Sequence, residues 1–322
     1  MSQPGSSDTS RLRHLYGPVP SRRLGHSLGI DLIPYKTCSY DCLYCQLGRT
    51  TERTCARRET VPPAELLAEL RQKLAQGPPP DYLGLAGAGE PTLYSRLGEL
   101  IVGIKRLTDI PVAVLTNGSL LWQPAVRQSL QEADLVLPSL DAGDEETFQR
   151  VNRPDAEVTF SRLIDGLVTF RQEFRGPVWL EVFLLPGIND SPASLDRIAA
   201  HARRIAPTRV QLNTVARPPA EPEAHAATAD ALAAACQHFD GLAEVIAETS
   251  LAGPELALDS PELEARIVAL LARRPCTVQG IAAGLGLAPN EVLKALERLD
   301  SRGLTDRRLL PGGVFHGLVR PR

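Results

Sequence analysis

The stretch Thr37-Cys38-Ser39-Tyr40-Asp41-Cys42-Leu43-Tyr44-Cys45 places three cysteines at C-x3-C-x2-C. Soft thiolates held this close favour an iron–sulfur cluster or zinc. A four-iron cluster ordinarily takes four cysteines, and only three are adjacent here. Three ligands leave one iron open, and an open metal position is where chemistry happens. Zinc instead wants a fourth ligand to close its tetrahedron, which would come from a remote cysteine or histidine. The histidines, His14, His26, His201, His225, His238 and His316, have no ligand spacing with one another and read as surface or core residues. Cys55, Cys236 and Cys276 stand alone and read as small buried apolar side chains.

Polar groups recur where apolar runs end. Gly87-Ala88-Gly89-Glu90-Pro91 follows the run that starts at Tyr82. Glycine lets a backbone approach a ligand closely, and a carboxylate at Glu90 suits an ammonium donor. Thr116-Asn117-Gly118 and Ser139-x-Asp141 close two further runs and offer groups fitted to ribose hydroxyls. The same residue types cap helices well, so capping is the competing reading. Asn152 and Asn213 carry that double reading too. Arg22 and Arg23, just before the first run, are either a solvated basic pair or a contact for an anionic substrate.

The elements that must position these groups alternate. Residues 28–33, 82–86, 111–115, 135–140, 178–185 and 209–213 read as strands, and 64–75, 96–107, a segment reaching 132, 145–151, 159–174 and 194–205 as helices. Short apolar strands alternating with helices predict an α/β fold, a parallel sheet with helices outside. Six such units are too few for the complete eight-stranded barrel. The cysteines follow the first strand, on the carboxyl side where these folds build their sites.

After residue 223 the pattern changes. Residues 228–239 read as an Ala-rich helix, 243–246 as an edge strand, and 249–260, with Gly253 and Pro254, as a linker. Three helices at 262–272, 278–285 and 290–302 precede two apolar runs around Pro311-Gly312-Gly313. That order is the plan of a winged helix-turn-helix. Residues 261–322 hold ten basic and six acidic side chains, +4, which leaves −7 for the remainder. The third helix is charge-balanced, a poor phosphate contact, so Arg307 and Arg308 are the better ones; protein contact is the alternative. The expected domains are a disordered tail at 1–15, a barrel at 16–248, the linker, and a winged helix at 261–322.

Hydrophobic residues make up 43% and charged residues 23% of the 322, ordinary globular values. A net charge of −3 gives no global nucleic-acid footprint. No run reaches the roughly 18 apolar residues of a membrane helix, and residues 1–10 carry no signal-peptide core. Bunched cysteines point to a cytosolic metal site rather than disulfides, and a cytoplasmic protein is expected.

With its aromatic Tyr44 just before Cys45, the cysteine stretch resembles the signature of the radical SAM superfamily. The runs Gly17 to Gly25 and Cys45 to Gly48 resemble one branch of it, which groups bacterial enzymes with archaeal relatives that make wyosine-type tRNA bases. The resemblance extends over residues 16–219. It implies an open partial barrel of six β/α units. It also implies a [4Fe–4S] cluster on Cys38, Cys42 and Cys45, whose free iron binds the amino and carboxylate groups of S-adenosylmethionine. Reductive cleavage of the sulfonium bond would then yield a 5′-deoxyadenosyl radical that abstracts hydrogen, chemistry that belongs to the cofactors. By the same resemblance Tyr44 lies with the cofactor contacts. Gly87, Gly89 and Glu90 correspond to the motif that holds the methionine amino group. Thr116, Asn117, Ser139 and Asp141 face the nucleoside, with Asn152 and Asn213 as further contacts. A reducing donor such as a flavodoxin or ferredoxin is implied. The wyosine-forming relatives carry a second cluster on cysteines upstream of the signature, and no cysteine precedes Cys38 here. The substrate expectation is therefore tRNA or another RNA, a peptide or a small molecule. The rival class is a transcription regulator that senses iron or oxidants through the cysteines and reads DNA with the winged helix.

Overall fold

A computed structural model describes residues 13–246, 260–287, 289–310 and 313–319. The expected tail at 1–15 and linker at 249–260 fall mostly outside them. β1 (Leu15–Ser21) pairs antiparallel with β2 (Gly25–Ile30). The short pair β3 (Thr37–Cys38) and β4 (Glu52–Arg53) brackets the cysteine loop. Then strands and helices alternate: α1 (Pro63–Leu74), β5 (Tyr82–Leu85), α2 (Leu97–Leu107), β6 (Val112–Thr116), α3 (Pro124–Ser129) and β7 (Leu135–Pro138). The series continues with α4 (Glu145–Asn152), α5 (Phe160–Glu173), β8 (Trp179–Phe183), α6 (Pro192–Ile205), β9 (Arg209–Asn213), α7 (Ala229–Cys236) and β10 (Ala243–Val245).

One sheet runs β1-β2-β5-β6-β7 and another β10-β9-β8. Parallel bridges Val136–Val178 and Ser139–Glu181 join β7 to β8. From β2 to β10 every neighbouring pair in these two sheets is parallel. A parallel sheet covered by helices has both faces buried, so its strands read as near-continuous apolar runs. β7 shows this: all its side chains are buried. Proline opens α1, α3 and α6, a position that needs no intrahelical N–H.

All six strands read from the sequence are present, though those expected to reach residues 140 and 185 end at Pro138 and Phe183. The first ends at Ile30 rather than residue 33, because Asp31 turns its carboxylate to Ala88 N and Arg273. β1 was not expected. It lays the Tyr16 ring where a side chain on Gly29 would stand, with Tyr16 carbons 2.0–2.5 Å from a Cβ built there. The helix expected to reach residue 132 stops at Ser129. Cys55 and Cys276 are buried as expected, whereas Cys236 is only half-buried.

Beyond the sheet come α8 (Ser260–Leu271), β11 (Cys276–Thr277), α9 (Val278–Leu285), α10 (Pro289–Ser301), β12 (Thr305–Leu310) and β13 (Gly313–Leu318). The last strands form a sheet in the order β11-β13-β12. This unit packs on the rest through β1: Val19 belongs to the apolar cluster of Ile267, Ile281, Val292 and Leu296. No helix among the described residues is long and apolar enough to cross a membrane.

Candidate functional site

Because the strands from β2 to β9 are parallel, their carboxyl ends share one edge. That edge gathers the polar groups. Lys36 precedes β3, Asn117 follows β6, and Asn152 ends α4. Each donates to a different sulfur: Lys36 Nζ to Cys45 at 3.1 Å, Asn117 Nδ2 to Cys38 at 3.5 Å, and Asn152 Nδ2 to Cys42 at 3.5 Å. Tyr40 N also donates to Cys38, at 3.4 Å. The loop supplies three thiolates, one short of the four ligands that close a structural zinc site, and three suit a cluster that leaves one iron open.

Burial pushes the Cys38 thiol up to about 12 and the Cys42 thiol well above its ordinary value. Gathering thiolates here therefore requires positive charge, which a metal centre brings. Lys36 is 3% exposed. Burial pulls its ammonium down, but Cys45, Cys38 and Cys42 outweigh that, and the net shift is upward. The Tyr40 hydroxyl is buried and meets no partner.

Glu90 is 2% exposed. Its Oε1 accepts from Thr92 N, Thr92 Oγ1 and Thr116 Oγ1 at 2.9, 2.6 and 2.6 Å, and its Oε2 from Asn117 N at 2.7 Å. The expectation of a carboxylate given over to a ligand ammonium needs amending: Glu90 first clamps its own neighbours, and Oε2 alone keeps a spare lone pair. Burial raises its carboxyl, and those donors pull the other way. The glycines are likewise explained by the chain itself. A Cβ on Gly89 would stand 2.0 Å from Thr37 O, and one on Gly87, where φ is 132°, 1.6 Å from Asp31 Oδ1. They let this loop lie against the cysteine loop.

Asp141 is a second hub. Its Oδ2 accepts from Tyr44 Oη and from Asn152 Nδ2 at 2.8 Å, and its Oδ1 from Phe183 N at 2.9 Å. The Tyr44 ring stacks on Phe183 at 3.8 Å between centroids. Burial, the largest influence, lifts the Asp141 carboxyl to about 6 despite these donors. Asn213 Nδ2 donates to Glu181 Oε1 at 2.8 Å, and Arg23 pairs with the other oxygen. Ser139 meets Glu181 through a backbone bridge, not through the carboxylate. Arg23 is thus bound to a neighbour rather than held out for a substrate. Arg307 and Arg308 also hold carboxylates, those of Asp300 and Asp306.

Sequence reasoning missed Lys36, Tyr40 and Glu181. Glu181 had a signal, a carboxylate inside the apolar strand Trp179–Phe183. Lys36 and Tyr40 had none beyond lying beside the cysteines.

The family model of the radical SAM superfamily matches residues 32–215. A Brachyspira hyodysenteriae protein called GTPase Obg is 38% identical over 99% of this chain, which spans 47% of its length. A UPF0026 protein of Methanocaldococcus jannaschii is 38% identical over 64% of each chain. The UPF0026 protein of Helicobacter pylori strain J99 is 37% identical over 88% of this chain and 91% of its own. The fold is similar to that of a radical SAM methyltransferase from Sphaerobacter thermophilus, with a TM-score of 0.53 at 18% identity, over 68% of this chain and 65% of that one. Three cysteines at the head of a parallel series, the match across that series and the near-complete overlap with the Helicobacter protein lead to one assignment: the chain belongs to the radical SAM superfamily, among its UPF0026 members.

Proposed function

We propose that this chain cleaves S-adenosylmethionine reductively at a [4Fe–4S] cluster held by Cys38, Cys42 and Cys45, to start radical chemistry on a substrate. The superfamily's cofactors are that cluster and S-adenosylmethionine, and the donor set fits them. The observation that carries the reading is the N–H donor on each of the three sulfurs, at the carboxyl edge of the parallel strands. When bound, the pair supplies one-electron cleavage of the sulfonium bond and hydrogen-atom abstraction.

The chain's own residues position and tune. Donors to the sulfurs favour the more negative state of the centre. The remaining lone pair on Glu90 Oε2 accepts the cofactor's ammonium, beside the backbone of Gly87 and Gly89. Thr116, Asn117, Ser139 and Asn213 supply the strand ends that face the nucleoside. Asp141 acts through Tyr44 and Asn152, which it holds in place. In this reading the parallel series is an open partial (β/α)6 barrel. Residues 261–322 form a winged-helix domain that docks the substrate, RNA before peptide or small molecule, and a flavodoxin or ferredoxin supplies the electron.

Anaerobic reconstitution with iron and sulfide, then reduction and assay for 5′-deoxyadenosine, tests the proposal. Cys42→Ala should lose the iron and the cleavage together, and Cys276→Ala should lose neither. Iron content and broad visible absorption that survive Cys42→Ala would refute it. An iron-sensing regulator has no need of polar groups converging from four strand ends; tight binding of one duplex DNA sequence without cleavage would favour it.

A further inference from the structure

A crevice of ≈ 830 Å³ lies between the cysteine loop and the carboxyl-terminal unit, within the size range of small-ligand sites. One wall is Gln46 to Arg49, which follows Cys45 directly, together with Tyr35. The opposite wall is Arg273, Arg274, Arg308 and Phe315. Four of the lining side chains are arginines and one, Asp306, is acidic. Three arginines already hold carboxylates: Arg49 holds Glu221 at 2.7 Å, Arg273 holds Asp31 at 2.5 Å, and Arg308 holds Asp306 at a loose 3.3 Å. Arg274 differs. Its Nε is buried and meets no hydrogen-bond partner. Native structures seldom leave a buried N–H unpaired, because its desolvation is then uncompensated.

An arginine with its Nε unpaired at the wall of a crevice suits an oxyanion acceptor. Phosphate answers better than carboxylate, since its non-bridging oxygens diverge and can engage Arg274 while sharing the loosely paired Arg308. Apart from Gln46 and Thr51 the rest of the lining is apolar or aromatic, with Tyr35, Leu47 and Phe315, surface of the kind on which bases stack. We propose that this crevice binds a phosphorylated nucleoside, free or within RNA, and holds it beside the cysteine loop. The role as a substrate site rests on the radical SAM reading; the binding itself does not.

The test uses the full chain, with and without reconstituted cluster, and fluorescence or calorimetric titration. The probes are adenosine and guanosine monophosphates, the matching nucleosides, and a labelled single-stranded RNA 12-mer. A monophosphate or the RNA should bind, the nucleosides should not, and binding should weaken with salt. Arg274→Gln should weaken it by about tenfold or more. Arg274→Lys, which keeps the charge but loses the fork, should fall between. The exposed Arg308→Gln guards against misfolding at position 274 and should weaken binding as well. Binding of monophosphates makes the ligand a free nucleotide; binding of the RNA alone makes it a strand. Equal binding of nucleoside and nucleotide, or no loss in any variant, overturns the proposal. Cleavage of S-adenosylmethionine by a protein that binds no nucleotide sinks this site alone. Nucleotide binding without such cleavage sinks the enzymatic reading and leaves the site standing.

Discussion

Lys36 Nζ lies 3.1 Å from Cys45 Sγ, on a side chain that is 3% exposed. The backbone that puts it there is tied on both sides: Lys36 N donates to Ala88 O at 2.6 Å, and Lys36 O accepts from Thr51 N at 3.1 Å. Its φ of 57° is left-handed, which costs a non-glycine residue roughly 1–2 kcal/mol.

The ammonium should make the centre easier to reduce, because it stabilises negative charge on the sulfur side. Lys36→Met in the reconstituted protein should lower the midpoint potential by on the order of tens of millivolts, read in a titration followed by electron paramagnetic resonance. Lys36→Gly separates charge from backbone. It should relieve about 1 kcal/mol of strain, which offsets part of the lost packing, while lowering the potential as Lys36→Met does. An unchanged potential in both variants would show that the contact does not tune the centre.

Asp141 gives a pH signature. Its carboxyl is lifted from an ordinary 3.8 to about 6 in the folded chain, chiefly by burial. The folded state therefore binds a proton that the unfolded state has lost between those values. The stabilisation is fully present below about pH 4 and is lost as pH rises through 6. Its size is about 3 kcal/mol. Asp141→Asn removes the titration, so the difference in unfolding free energy between the two proteins should change across pH 4–6 and be flat above 7. A pH-independent difference would mean that the Asp141 carboxyl titrates alike in the folded and unfolded chains.

The parts legible in the sequence are those whose physics is local. Strands buried on both faces show as unbroken apolar runs, and three cysteines in one loop announce a soft metal. β1 was illegible because Leu15–Ser21 holds Gly17, Pro18 and Pro20 and shows no alternation; an edge strand tolerates proline that an inner one does not. Gly87 and Gly89 were legible as close approaches, but not what they approach. The partners, Asp31 and Thr37, lie more than fifty residues away in the chain. Lys36 is buried only because the loops of Ala88 and Thr51 close over its backbone, a tertiary fact with no trace in composition.

Glu90 should matter to folding before it matters to the cofactor. Four donors converge on it, and Glu90→Ala orphans all of them. A loss of roughly 3 kcal/mol or more is expected, since each buried donor left unpaired costs about 1–3 kcal/mol. Asn117 then loses its backbone anchor, and with it the donor to Cys38. Chemical denaturation should show the lost stability, and iron retention on dilution should fall in parallel. Glu90→Gln keeps an oxygen for the Thr92 and Thr116 donors and should recover most of the stability but not cofactor affinity. Full recovery of both would assign Glu90 no part in cofactor binding.

Arg273 carries the last prediction, because it ties the carboxyl-terminal unit to the cofactor loop. Its guanidinium pairs with Asp31 at 2.5 Å, both side chains are 13% exposed, and it stacks on the Tyr16 ring at 4.6 Å. Asp31 Oδ1 in turn accepts from Ala88 N at 3.1 Å, inside the Gly87–Glu90 loop. Removing one member of a buried pair leaves an uncompensated charge, at a cost of about 3–5 kcal/mol when burial is complete; here it should be somewhat less, since solvent reaches both groups. Arg273→Ala should therefore lower stability and weaken S-adenosylmethionine binding together, although Arg273 touches none of the cysteines. A chain ending at residue 246 should suffer more, because it also uncovers Val19, which packs against Ile267 and Ile281. Asp31→Asn introduced into either background removes the stranded charge while keeping an acceptor for Ala88 N, and should restore part of both losses. If the truncated chain is as stable as the full one and binds the cofactor equally well, the two units are independent and the Arg273–Asp31 pair transmits nothing.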